Sequence, residues 1–110
     1  MAYFSIITRS ADSGRTVLGL VGELDMAGAA AMRAAGLAAL GEPGSSTLVL
    51  DVTELTFVDS TGIGTWVELH NHASGQDQSV VLQGVSGNLT RVLTIAGLAP
   101  LFDLDGGRHR

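Results

Sequence analysis

A chain of 110 residues, 45% hydrophobic and 15% charged, holds enough apolar material for a single compact core and is neither disordered nor fibrous. Eleven acidic against six basic residues give a net charge of -5, and no Lys/Arg stripe breaks that balance. Nucleic acid and anionic membrane surfaces are therefore excluded as expected partners, and a basic partner is the easier fit. Cysteine is absent, which excludes a disulfide framework and thiol chemistry and fits a reducing compartment. The start Met1-Ala2-Tyr3-Phe4-Ser5 lacks the regions of a signal peptide, and no apolar stretch approaches membrane-spanning length, so a soluble cytoplasmic protein is expected.

Tyr3 to Thr8 alternates as a half-exposed strand does, with Phe4 and Ile6 on one face. Ala11-Asp12-Ser13-Gly14 is turn chemistry, and Thr16 to Val21 reads as a second strand, making an antiparallel hairpin at the sheet edge. Gly22-Glu23-Leu24-Asp25 ends that strand. Asp25 is placed to cap a helix over Met26 to Leu40, whose expected apolar face is Met26, Ala30, Leu37 and Leu40. Met26 and Met32 read as core fillers. Gly41-Glu42-Pro43-Gly44-Ser45-Ser46 stops the helix.

Leu48 to Val52 is a near-continuous apolar run, as expected of a strand covered on both faces. Phe57-Val58-Asp59-Ser60-Thr61-Gly62-Ile63-Gly64 comes next, with Gly62 and Gly64 read as a tight backbone approach and Ser60 or Asp59 as N-cap. Ile63, Trp66, Val67 and His70 then recur at helical spacing. A strand, a helix and a second strand make a right-handed βαβ unit, so the sheet interior is expected to be parallel. Ser74 to Gln78 reads as a loop and Ser79 to Gln83 as a further buried strand. Leu89, Val92, Leu93 and Ala96 mark a third helix with an exit at Gly97 and Pro100. Leu101 to Leu104 is a short last strand and 105–110 a frayed tail, so one domain over 1–104 is expected.

In such a sheet, sites collect where parallel strands turn into helices. One strand delivers Glu23 and Asp25 to that edge and another delivers Asp59, Ser60 and Thr61. A hydroxyl at a helix N-terminus sits in local positive potential, where bare amides favour added negative charge. Asp, Ser and Thr are also what any plain cap uses, and the residues alone leave both readings open. Other chemistries fail on the same stretch. Ser60 lacks a Gly-x-Ser-x-Gly elbow or an assigned base, two residues part Asp59 from Gly62 where an aspartic protease loop would have one, and a Walker loop needs lysine, of which there is none. His70 and His72, two apart on a helix, point to opposite sides and have no third ligand, so no metal site, cofactor or catalytic residue is expected.

Gly22-Glu23-Leu24-Asp25, Phe57 to Gly64 and Leu93-Thr94-Ile95-Ala96-Gly97-Leu98, in that order and at these separations, resemble the STAS domain of bacterial anti-sigma factor antagonists. The resemblance implies an α/β fold, a single domain with a mixed sheet of four to five strands and packed helices, that binds an anti-sigma factor and so releases a sigma factor. It further implies that the serine after the motif aspartate, Ser60, is phosphorylated by the anti-sigma factor, a serine kinase that brings its own ATP and Mg²⁺, and restored by a serine phosphatase. The partner-binding residues so implied are Glu23, Asp25, Asp59, Ser60, Thr61, Gly62 and Gly64. Two features depart from the family: it usually continues into a final helix, whereas this chain stops soon after Leu104, and Trp66, Glu68, His70 and His72 stand where basic or small residues are common. A stand-alone sensor holding a nucleotide or another anion in the same loops, or a subunit of a larger stacked assembly, is the alternative.

Overall fold

A computed structural model of the chain describes residues 3–105. Two antiparallel strands open it, β1 (Phe4–Asp12) and β2 (Arg15–Leu24). Their turn is Ser13-Gly14, both at positive φ (54° and 79°), the primed geometry whose twist matches that of the strands it joins. Both strands run longer than the alternation predicts, because this two-residue turn lets pairing continue up to it. A 3₁₀ turn (Met26–Gly28) leads into α1 (Ala29–Leu40), followed by β3 (Thr47–Val58), α2 (Ser60–Gly75), β4 (Ser79–Gln83), α3 (Gly87–Ile95), a second 3₁₀ turn (Ala99–Leu101) and β5 (Asp103–Asp105). The last strand begins two residues later than expected, since Leu101 closes the turn containing Pro100. Asp105, expected in the tail, ends β5; the rest of that tail lies outside the described residues.

The five strands stand in the order β1-β2-β3-β4-β5, with every pair after the first parallel. The expected edge hairpin and parallel centre are thus present. Because the order never reverses, right-handed crossovers place all the helices on one side of the sheet. The core confirms it: Leu18, Leu20, Leu48, Leu50, Val80 and Leu82 face Met32 and Leu40 of α1, Trp66 and Leu69 of α2 and Leu93 of α3 in one cluster. The molecule is accordingly two layers thick, with extents of 35 × 34 × 22 Å. The expected burial of the central strand on both faces holds at Leu48, Val49 and Leu50, all fully buried, although the helices cover one face alone. Val49 is fully buried, yet it points away from the helices, at one register with Val17 and Val81, which are only half-buried.

The apolar face of α1 is also corrected. It buries Ala29, Met32, Gly36, Ala39 and Leu40, while Met26 is 74% and Leu37 37% exposed and Ala30 faces solvent. The cause is Gly36: a methyl group built there would come within 2.5 Å of Leu69 Cδ1, so the helices meet where α1 has no side chain. Counting apolar side chains misplaces a face whose contact point is a glycine. Met32 is core, as expected; Met26 is not. On α2 the buried line is Trp66, Leu69 and Ala73, with Ile63, Val67 and His70 at its margin. α3 buries Leu93 and half-buries Leu89, but leaves Val92 and Ala96 exposed. Its exit is a Schellman motif, in which Leu98 N donates to Leu93 O at 2.8 Å and Gly97 N to Thr94 O at 3.0 Å, with Gly97 at φ 75°.

Candidate functional site

β3 carries Asp59 and Ser60 past the end of its neighbour, and two irregularities aim it. Its register against β2 slips between Gly19 and Val21 and again between Gly22 and Glu23. Asp51 Oδ1 holds the first by accepting from Thr53 N (3.0 Å) and Thr53 Oγ1 (2.6 Å), and Thr56 Oγ1 holds the second by donating to Gly22 O at 3.1 Å. Bulges of this kind bend a strand and re-aim the residues beyond them. Gly22 sits at φ 100°, and any side chain there would collide with the Tyr3 carbonyl.

Asp59 is the N-cap of α2. Its backbone is extended, its Oδ1 accepts from Gly62 N at 2.9 Å, and its carbonyl accepts from Ile63 N at 3.0 Å. Ser60 is the first helical residue and is exposed, as is Thr61. Of the two N-caps left open by the sequence, Asp59 is the one present. The amides of Ser60 and Thr61 have no acceptor among the described residues, so positive potential remains at the hydroxyl.

The second segment is joined to the first by one hydrogen bond, from Asp59 N to Leu24 O at 3.1 Å. Asp25 and Ser60 each lie one residue beyond that bonded pair, so the structure brings together the segments 23–25 and 59–62. Asp25 Oδ1 caps the 3₁₀ turn by accepting from Ala27 N at 3.0 Å, and Glu23 is exposed at register with Phe57. Gly62 is the contact point. A methyl there would lie 2.7 Å from Leu24 Cγ, 2.8 Å from Val58 Cγ2 and 3.0 Å from Leu24 O. Gly64 differs, since a methyl there would have nothing within 4 Å, so only one of the two glycines marks a tight approach.

Two residues missed by the sequence reading belong to this surface. Met26, next to Asp25, and Phe57, 50% exposed at register with Glu23, put apolar area beside the acids. A shallow groove continues from Leu55, Phe57 and Val58 to Leu89 and Val92 of α3. Alternation from Leu55 through Phe57 could have signalled the second residue; nothing local signals Met26. Chemically, the edge offers two exposed hydroxyls, Ser60 and Thr61, on a helix N-terminus, with the carboxylates of Glu23, Asp25 and Asp59 and an apolar margin on the same edge. Among the described residues no group of three or more His, Cys, Asp or Glu could hold a metal, and no helix is long and apolar enough to cross a membrane. His70 instead packs edge-on against Phe102 at 6.0 Å.

Comparison with known proteins agrees with this fold. The family model described as Mlab, STAS domain, matches residues 7–103. The anti-sigma-B factor antagonist of Bacillus subtilis is 31% identical over 85 residues, 77% of this chain and 76% of its own length. That of Listeria monocytogenes is 33% identical over 57 residues, a match spanning 52% of this chain and half the length of that relative. Among solved structures, an anti-sigma factor antagonist from Mycobacterium paratuberculosis superposes with a TM-score of 0.75 at 24% identity, covering 94% of this chain and 86% of that one. The murine anion transporter Slc26a9 gives 0.75 at 15% identity, with 99% of this chain matched to 21% of that one. At those identities the two structures speak for the fold alone; the family model and the B. subtilis relative carry the kinship, and the chain belongs to the STAS-domain family, as a distant homologue of the anti-sigma factor antagonists.

Proposed function

We propose that this protein is an anti-sigma factor antagonist: unphosphorylated, it binds an anti-sigma factor and releases the sigma factor, and phosphorylation of Ser60 by that same partner, a serine kinase supplying ATP and Mg²⁺, ends the binding. It acts in the cytoplasm as a regulator rather than an enzyme, and a serine phosphatase resets it. The observation that carries the reading is the exposed Ser60 hydroxyl on a helix N-terminus whose cap, Asp59, is tied to the Asp25 segment.

Phosphoserine brings a charge of about -1.5 to -2 at neutral pH. The helix N-terminus tolerates it locally, so the fold stays intact. Beside Glu23, Asp25 and Asp59 it concentrates negative charge next to Met26 and Phe57, and burying that patch against a partner becomes costly. A tenfold loss of affinity needs only about 1.4 kcal/mol. Release therefore requires no large change of shape.

Incubation with candidate anti-sigma kinases and ATP, read by intact mass and peptide mapping, tests the proposal. One phosphate on Ser60 is the expected product. Tight nucleotide binding by the isolated protein with no phosphate transferred would replace the switch with the stand-alone sensor.

A further inference from the structure

Thr56 is one residue more than the pairing of β3 with β2 requires. Gly22 stands opposite Leu55 and Glu23 opposite Phe57, so no residue of β2 faces Thr56. Side chains alternate along a strand, and a slip of one residue moves every later side chain to the opposite face. Had the pairing run on unbroken from Gly22 and Leu55, Phe57 would stand opposite the fully buried Leu24, and the amide meeting Leu24 O would be that of Val58. With the extra residue, Phe57 is 50% exposed beside Glu23, Val58 pairs with Leu24, and Asp59 N donates to Leu24 O at 3.1 Å. The place of Ser60 at the sheet edge follows from that one insertion.

We propose that Thr56 is a positioning residue for phosphoryl acceptance at Ser60: its hydroxyl fixes the bulge, the bulge brings Asp59 N to Leu24 O, and Asp59 caps the turn that carries Ser60. Thr56 Oγ1 donates to Gly22 O at 3.1 Å, and Gly22, at φ 100°, is where β2 leaves ordinary strand geometry. Thr56 is exposed, so burial of its side chain is not what selects the bulge. The inference rests on Ser60 being the acceptor and adds the residue that sets where the acceptor stands. The hydroxyl is what it requires. Valine has the shape of threonine and suits strands as well, yet cannot donate, whereas serine donates without the branch. A residue serving strand propensity alone would rank valine with threonine and serine below them. Positioning ranks serine with threonine and valine below.

Thr56→Val and Thr56→Ser in the full chain make the test, and neither opens the core, since the residue is exposed. Hydrogen exchange at the Asp59 amide reads the bond to Leu24 O with no kinase present. It should quicken about fivefold to tenfold in Thr56→Val and stay within about twofold of the parent in Thr56→Ser. With an anti-sigma kinase that phosphorylates the parent chain, ATP and Mg²⁺, kcat for Ser60 should fall about fivefold or more in Thr56→Val while KM changes less than about twofold, and Thr56→Ser should restore it. Parental exchange or parental kcat in Thr56→Val, or an equal loss in Thr56→Ser, overturns the proposal. Should no kinase place phosphate on Ser60 of the parent, the reading of Ser60 falls; quickened exchange in Thr56→Val then still upholds the hold of Thr56 on Asp59, and unchanged exchange removes that as well.

Discussion

Gly62 and Gly64, both in the first turns of α2, should respond to the same substitution with opposite sign. Gly62→Ala puts a methyl 2.7 Å from Leu24 Cγ, 2.8 Å from Val58 Cγ2 and 3.0 Å from Leu24 O. Leu24 is fully buried and its carbonyl is the acceptor for Asp59 N, so rotating one side chain cannot relieve all three contacts. Overpacking of this kind costs about 1–3 kcal/mol, against which alanine recovers up to about 1 kcal/mol of helix propensity. The net expectation is a loss of about 1–2 kcal/mol. Gly64→Ala meets nothing within 4 Å and should gain about 0.5–1 kcal/mol. Urea unfolding followed by the fluorescence of Trp66, the only tryptophan and fully buried, reads both. With a slope of about 2 kcal/mol/M, the two midpoints should stand about 1 M apart, on either side of the parent. Coincident midpoints, or Gly62→Ala above the parent, would refute the claim that Gly62 is where the two segments of the site meet.

Since Asp59 and not Ser60 supplies the cap, Asp59→Ala should cost about 0.5–2 kcal/mol and Ser60→Ala less than about 0.5, against about 2–5 for Leu50→Ala in the core; denaturation curves rank the three. In calorimetry against the cognate anti-sigma factor, Ser60→Ala should bind as the parent does while Ser60→Glu binds more weakly, and parental affinity for the latter would sink the switch. Thr61→Ala should still be phosphorylated, because one helical residue on the side chain points about 100° away; intact mass after incubation with kinase and ATP decides. The ion pair of Arg33 Nε with Glu68 Oε1, 2.8 Å between exposed faces of α1 and α2, should show a coupling of about 0.2–1 kcal/mol in a double-mutant cycle that fades with added salt.

The sequence was most legible where periodicity and punctuation coincide. Ser13-Gly14, the caps at Asp25 and Asp59 and the exit at Gly97 each declare a backbone geometry that few residues adopt, and they delimit the elements between them. Helix faces were less legible, because Gly36 makes the closest contact of α1 while contributing no apolar side chain. The length of β3 was hidden for a related reason. The apolar run that marks the strand ends at Val52, yet the Thr53 and Thr56 hydroxyls hold two bulges and the strand runs on to Val58. That helices cover one face alone depends on strand order, which the apolar run Leu48 to Val52 does not encode. Of the site, the meeting of two segments could be inferred from strand ends and Phe57 from its alternation with Leu55; Met26 as an exposed neighbour could not, since its exposure was set by a 3₁₀ turn.

Leu18, Leu50 and Leu82 stand abreast on three neighbouring strands, and each is 32 residues from the next along the chain (18 to 50, 50 to 82). Because spatial order equals chain order, the first two parallel pairings close loops of equal size and the last, Leu82 with Leu104, a shorter one, each at an entropic cost of about 3 kcal/mol before constants. No strand must wait for one made later, and none must be inserted between two already paired. A chain emerging from the ribosome can lay down its sheet in the order of synthesis, each new strand adding to the exposed side of the last, with β1 never called upon again after the first hairpin.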